Sequence, residues 1–321
     1  MPIDDTLARY SDLSFETAFV VYLLALMLFV AEFAAVRVRR TAPTLVSSAA
    51  GPSASLPDEP GRVGETTRRE LSDRLGRMGV SVLMVALILH VGSMVLRGLA
   101  SARFPWGNMY EFVTVTSAVG VFAGLIVLRR PVLRVLWPFA LIPVLILLFV
   151  AGTVLYADAA PVVPALQSFW LPIHVSVVSV SSGVFLVSGV ASVLFLVVLR
   201  AERRPHTRLA RFVQRLPDAR VLDRLAYRTT IFAFPLFGAG VVLGAIWAEA
   251  AWGRFWGWDP KETVSFIAWV IYAAYLHARA TAGWRETRAA WINIAGFVAM
   301  LFNLFIINMV VSGLHSYAGL N

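Results

Sequence analysis

The chain has 321 residues, of which 59% are hydrophobic and only 15% charged. A typical soluble domain is about 45–50% apolar and about 25% charged, so this composition excludes a soluble enzyme, a disordered scaffold and a collagen-like chain. There is no cysteine, which excludes disulfides, Fe–S clusters and thiolate metal sites; the net charge of +9 is carried by arginine, with Lys261 the only lysine.

A helix needs about 20 apolar residues to cross a bilayer. Eight runs approach that length: 16–36, 78–98, 111–128, 132–156, 173–199, 229–247, 263–281 and 288–312. The expected fold is an all-α integral membrane protein with about eight transmembrane helices. Residues 1–37 supply the first. Asp4, Asp5 and Asp12 precede its apolar run and Arg37, Arg39 and Arg40 follow it, the reverse of a cleaved signal peptide. Residues 38–77 contain the Ser-, Ala- and Pro-rich stretch 41–60 and five arginines from Arg62 to Arg77 besides Arg39 and Arg40. They are expected to form a flexible, basic cytoplasmic linker. Residues 78–321 form the seven-helix remainder.

Arginines crowd 37–77, 129–134, 200–228 and 279–288 and are sparse in the alternate loops. Positive-inside bias then places both termini outside the cell membrane, with the lipid bilayer and not nucleic acid as the partner of the positive charge. Segment 200–228, with nine arginines, is expected to hold a short amphipathic helix at the inner surface. No internal repeat of the kind that builds inverted-repeat transporters is present.

Five histidines sort by depth. His206 lies among loop arginines and reads as solvated. His90 and His277 fall inside the second and seventh runs. His174 opens the fifth run and His315 follows the eighth, both at the outer side. A membrane histidine can simply bridge two helices by a hydrogen bond. Two pairs at two levels point instead to axial ligation of a planar metal cofactor, heme being the one that neutral imidazole ligates well. Zinc would need three or four ligands in one layer. The inner pair carries a difficulty of depth, which an extension of the second run to about residue 102 reduces.

Four tryptophans fall within the outer loop 247–262. Trp252, Trp256 and Trp258, with Phe255, are expected to offer a flat apolar platform to a porphyrin disc. Gly253 and Gly257 would let the backbone approach it, and Arg254 or Lys261 would suit the disc's carboxylates. Asp259-Pro260-Lys261-Glu262 reads as a helix start: Asp at the N-cap, Pro at N1, Glu at N3 of a capping box.

Trp252–Glu262, WGRFWGWDPKE, resembles the tryptophan-rich "WWD" signature of heme-handling proteins in cytochrome c maturation, and Phe104–Phe112, FPWGNMYEF, resembles a loop of the CcsA/ResC branch. The resemblance covers about residues 78–321. It implies a membrane subunit of a cytochrome c synthase, a heme lyase acting with a ResB-type membrane partner. Heme b, preferably reduced, would be held by the His90–His277 pair and presented between His174 and His315 beside Trp252, Trp256, Trp258 and Asp259. Thiols of an apocytochrome c CxxCH motif would then add to the vinyl groups on the extracytoplasmic side. The resemblance assigns no catalytic acid or base. A heme transporter without a part in thioether formation would use the same residues. A b-type electron-transfer cytochrome fits less well, because each span carries at most one histidine.

Overall fold

A computed structural model describes residues 3–36 and 63–315. The helices are α1 (Asp5–Ala35), α2 (Val63–Ala100), α3 (Met109–Val127), α4 (Pro131–Arg134), α5 (Trp137–Thr153), α6 (Trp170–Glu202), α7 (Arg208–Val213), α8 (Ala219–Trp252), α9 (Pro260–Ala280) and α10 (Thr287–Met309). A single 3-10 turn, Pro164–Gln167, precedes α6, and no strand occurs among the described residues.

Six of these helices (α1, α2, α3, α6, α8 and α10) are long and apolar enough to cross a membrane. The apolar α5 is shorter, at 17 residues, and α9 has 21 residues with polar groups at both ends. The protein is therefore an all-α, multi-pass membrane protein.

Three boundaries differ from the sequence expectation. The run expected at 132–156 is split, since Pro131 and Pro138 each open a helix. The break between them lets Arg134 reach Glu32 of α1 at 2.6 Å and Asp73 of α2 at 3.0 Å. The linker expected over 38–77 is helical from Val63 onward, because the stretch 63–77 is rich in Arg, Glu and Leu and continues directly into α2. The rest of that expected linker, residues 37–62, lies outside the described residues. In 200–228 the short helix is α7, six residues long, and α8 already starts at Ala219.

Helix α6 is the hub: it packs on α3, α5, α8 and α10, while α1 and α2 pair with each other and join the hub through α3 and α5. Helix α9 packs on α8 and α10. Buried polar groups bind the hub together. Asn293 of α10 donates to Ser188 Oγ at 2.8 Å and Ser192 Oγ at 2.7 Å of α6, and Ser188 meets Thr230 of α8 at 2.7 Å. Such bonds hold helices together where apolar contact alone gives no preference over lipid. This packing gathers four places at one end of the bundle: the start of α6, the end of α8, the start of α9 and the segment after α10.

Candidate functional site at the tryptophan loop

The site is built on two helix ends. Helix α8 stops at Gly253, whose φ of 70° is the left-handed conformation that glycine adopts without a Cβ penalty. Gly253 therefore terminates a helix. Six residues later α9 starts in the expected capping box. Asp259 is the N-cap, Pro260 is N1, and Glu262 accepts from the Asp259 N–H at 3.1 Å. Glu262 also accepts from the Gly257 N–H at 2.9 Å and pairs with Arg254 at 3.4 Å, which folds the loop back on its own helix.

Asp259 does more than cap. Its Oδ1 accepts from the Leu314 N–H and its Oδ2 from His315 Nδ1, both at 2.7 Å. The carboxylate thus fixes the chain after α10 onto the start of α9. Burial opposes its charge, but the His315 and Leu314 N–H groups outweigh burial and lower its pKa to about 2. Burial lowers the His315 pKa against the opposing pull of the Asp259 carboxylate and so favours the neutral ring. A neutral imidazole that donates from Nδ1 carries its lone pair on Nε2, the atom a metal would use.

His174 is arranged the same way from the other side. Its Nδ1 lies 2.8 Å from the Gly240 carbonyl, which makes Nδ1 the protonated nitrogen and again leaves the lone pair on Nε2. Its ring lies against Gly244, where an added Cβ would meet His174 Cε1 at 2.7 Å, so only glycine leaves room for the ring there. The indole of Trp247 stands beside both histidines. It is parallel to His174 with centroids 6.0 Å apart and lies 5.6 Å from His315.

Both histidines line one apolar cleft. Its walls include Phe112 of α3, Phe297 of α10, and Phe255 and Trp256 of the loop. The lining suits an apolar, aromatic ligand. The two imidazoles and the aromatic walls are of the kind that suit a heme.

The tryptophans do not make the expected flat platform. Trp256 lines the cleft; Trp258 stands edge-on to it, at an interplanar angle of 88°, and is 68% exposed. Trp252 is still helical. It packs on Trp247 at 4.7 Å and His315 at 5.0 Å and so braces a histidine. The turn at Gly253 separates Trp252 from the other two, and the loop rotates each indole to a different side.

The inner histidines are not brought together. His90 is fully buried between α1 and α2, 3.2 Å from the Tyr22 hydroxyl and edge-on to Phe15. His277 is exposed on α9, and α2 packs on α1 and α3 whereas α9 packs on α8 and α10. Their depths differ as well. His90 is ten residues, about 15 Å, before the end of α2 at Ala100; His277 is 17 residues, about 25 Å, beyond Pro260. Helix α2 runs beyond residue 98 but ends at Ala100, short of the expected extension to about residue 102, and the difference in depth remains.

The loop Phe104–Phe112 reaches the same site. The Glu111 carboxylate, 1% exposed, accepts from Arg97 at 3.1 Å, Arg103 at 2.7 Å and the Gly107 N–H at 2.6 Å. Asn108 caps α3 by accepting from the Glu111 N–H at 2.9 Å. So held, the loop packs Trp106 against the cluster of Trp247, Leu166 and Leu171, and Phe112 onto the cleft.

Residues 106–315 match the family model described as cytochrome C assembly protein, from Trp106 of this loop to His315. The chain belongs to this family. Among its relatives is the cytochrome c biogenesis protein CcsA of Guillardia theta, 35% identical over 243 residues, which are 70% of this chain and 80% of that protein. CcsA of Parasynechococcus marenigrum is 35% identical over 75% of this chain and 87% of its own length. CcsA of Chlamydomonas reinhardtii is 34% identical over 76% and 68% respectively. The chain is thus a CcsA-type member of the family. Among solved structures, the cytochrome c heme lyase CcmF is similar in fold, with a TM-score of 0.53 at 16% identity over 96% of this chain. This chain spans half the length of that one.

Within the family frame, Trp247, Phe112 and Asn308 are site residues that the sequence reading did not assign. Trp247 was within reach of that reading, as the first of the four clustered tryptophans. Phe112 closes the Phe104–Phe112 segment and Asn308 is a polar residue in an apolar run, but which side of each helix faces the cleft is set by packing, not by either signal.

Proposed function

We propose that the chain works in cytochrome c biogenesis by holding heme b, preferably with reduced iron, between His174 and His315 at the outer face of the cell membrane. There it presents the heme to the CxxCH thiols of apocytochrome c, together with a ResB-type membrane partner. One observation carries this reading. Two histidines 141 residues apart in the chain line a single aromatic cleft, each with Nδ1 held by a fixed acceptor, Asp259 for His315 and the Gly240 carbonyl for His174. Membership in the cytochrome c assembly family supports the pathway.

The heme supplies vinyl groups to which a thiol S–H adds across the C=C bond. The chain's own residues do three things. Asp259 and the Gly240 carbonyl orient the two imidazoles. Trp256, Phe255 and Phe112 exclude water from the disc. The capping box holds the loop rigid, so that heme and thiols meet without a large entropic loss.

The topology proposed with this function has eight spans, α4 and α5 together being the fourth and α9 the seventh, with both termini outside. Seven of the eight apolar runs each fall on one helix and the fourth on α4 and α5, and arginine-rich segments alternate along the chain with segments poor in arginine. His90 then serves the α1–α2 contact in this conformation. A role for His90 and His277 in heme passage requires a rearrangement that brings α2 to α9.

The test is purification from a heme-replete membrane and a visible spectrum. His174→Ala and His315→Ala are each expected to lower heme retention or change the spectrum, and to stop maturation of a co-expressed c-type cytochrome. Added imidazole is expected to restore part of it. Full heme retention in the double variant would overturn the ligand assignment.

A further inference from the structure

Lys261, the only lysine of the chain, points into this cleft. Its Nζ donates to Asn308 Oδ1 at 2.6 Å and lies 5.8 Å from the Phe112 ring centre. The Asn308 amide is locked in that orientation. Its Nδ2 donates to the Asn303 carbonyl at 3.1 Å and the Leu304 carbonyl at 2.6 Å, so only Oδ1 can face the lysine. Among the described residues no carboxylate forms an ion pair with Lys261. The two nearby acids are engaged elsewhere: Asp259 with His315 and Leu314, Glu262 with Arg254 and the loop N–H groups. Arg254, the other cation of the loop, is spent on Glu262 and does not line the cleft.

A cation in an apolar cleft with one neutral partner is costly, and an incoming anion removes that cost. The partner must carry its charge at the rim of a large apolar body, because the rest of the cleft is aromatic and aliphatic. We propose that Lys261 is the carboxylate anchor of the cleft, pairing with a propionate of the bound tetrapyrrole and fixing which edge of the disc faces α10. Asn308 is its positioning residue. The proposal rests on the heme reading above and deepens it. A disc held by its propionate edge turns its opposite, vinyl-bearing edge away from Lys261, so the lysine sets the orientation that thiol addition needs.

The experiment titrates the purified, heme-free full chain with iron protoporphyrin IX and with its dimethyl ester, following the Soret band. The ester keeps the iron, the disc and the vinyl groups and removes the charge. The wild type is expected to bind the free acid roughly tenfold more tightly than the ester, the difference one charge-assisted hydrogen bond makes. Lys261→Met should bind both alike, and Lys261→Arg should keep the preference. Equal affinity of the wild type for acid and ester overturns the anchor without any variant, as does an unchanged preference in Lys261→Met. A wild type that binds neither compound overturns the heme reading and the anchor with it. Binding of both with no preference overturns the anchor alone.

Discussion

Asp259 separates a structural from a functional role most sharply. As a bare N-cap it would tolerate Asn, since an amide oxygen accepts from the first-turn N–H groups as well as a carboxylate does. The structure asks more of it. Oδ1 is taken by the Leu314 N–H and Oδ2 by His315 Nδ1 and the Lys261 N–H. An amide offers one oxygen, so Asp259→Asn sets its NH₂ against either the Leu314 N–H or the His315 Nδ1–H. Asp259→Ala removes all three acceptors. The lost cap costs about 0.5–2 kcal/mol. The two lost bonds outside the helix start, both to the carboxylate, cost at least about 1 kcal/mol each. The local loss for Ala is therefore roughly 3 kcal/mol. Heme affinity should fall further than stability alone explains. A ligating histidine that loses its orienting carboxylate typically loses about 10–100-fold in metal affinity. The assay is heme bound per folded protein, with abundance and melting measured in parallel. The expected order in heme affinity is wild type, then Asn, then Ala, with Asn near wild type in abundance. Unchanged heme per folded protein in Asp259→Ala would refute the claim that Asp259 orients His315.

Further expectations concern the other walls and the topology. Gly244→Ala places a Cβ 2.7 Å from His174 Cε1 and should displace the ring, lowering heme retention while the helices stay intact by circular dichroism. Trp256→Ala should lower heme affinity more than Trp258→Ala, because only Trp256 lines the cleft, and Trp256→Phe should keep part of it through a stacking contribution of about 0.5–1.5 kcal/mol; the same Soret titration reads both. For the eight-span topology, single cysteines at Ser48 and Thr207 should resist membrane-impermeant thiol reagents in intact cells, while those at Arg254 and Asn321 should react; labelling at Ser48 or Thr207 would overturn it.

Much of this molecule is decided by sequence alone. Eight apolar runs dictate helices because a backbone in lipid must bond to itself. The Asp259–Glu262 quartet specifies its capping box from four adjacent side chains, and local chemistry of that kind is complete within one turn. That His174 and His315 share one level was legible for a similar reason, since each lies at the end of a run and the end of a run fixes depth. What the sequence left open is lateral. Which helix faces which, and at what rotation, depends on packing between residues far apart in the chain. It is tertiary packing that sets His90 against Tyr22 and leaves His277 outside, although both looked alike as single histidines in apolar runs. The same packing gives the three signature tryptophans three different tasks, because α8 ends between them at Gly253. It also joins Asp259 to His315 across 56 residues and turns the only lysine toward Asn308 in the cleft. Periodicity in one dimension fixes a helix and its depth; only the assembled bundle fixes the azimuth of each side chain, and the site is made of azimuths.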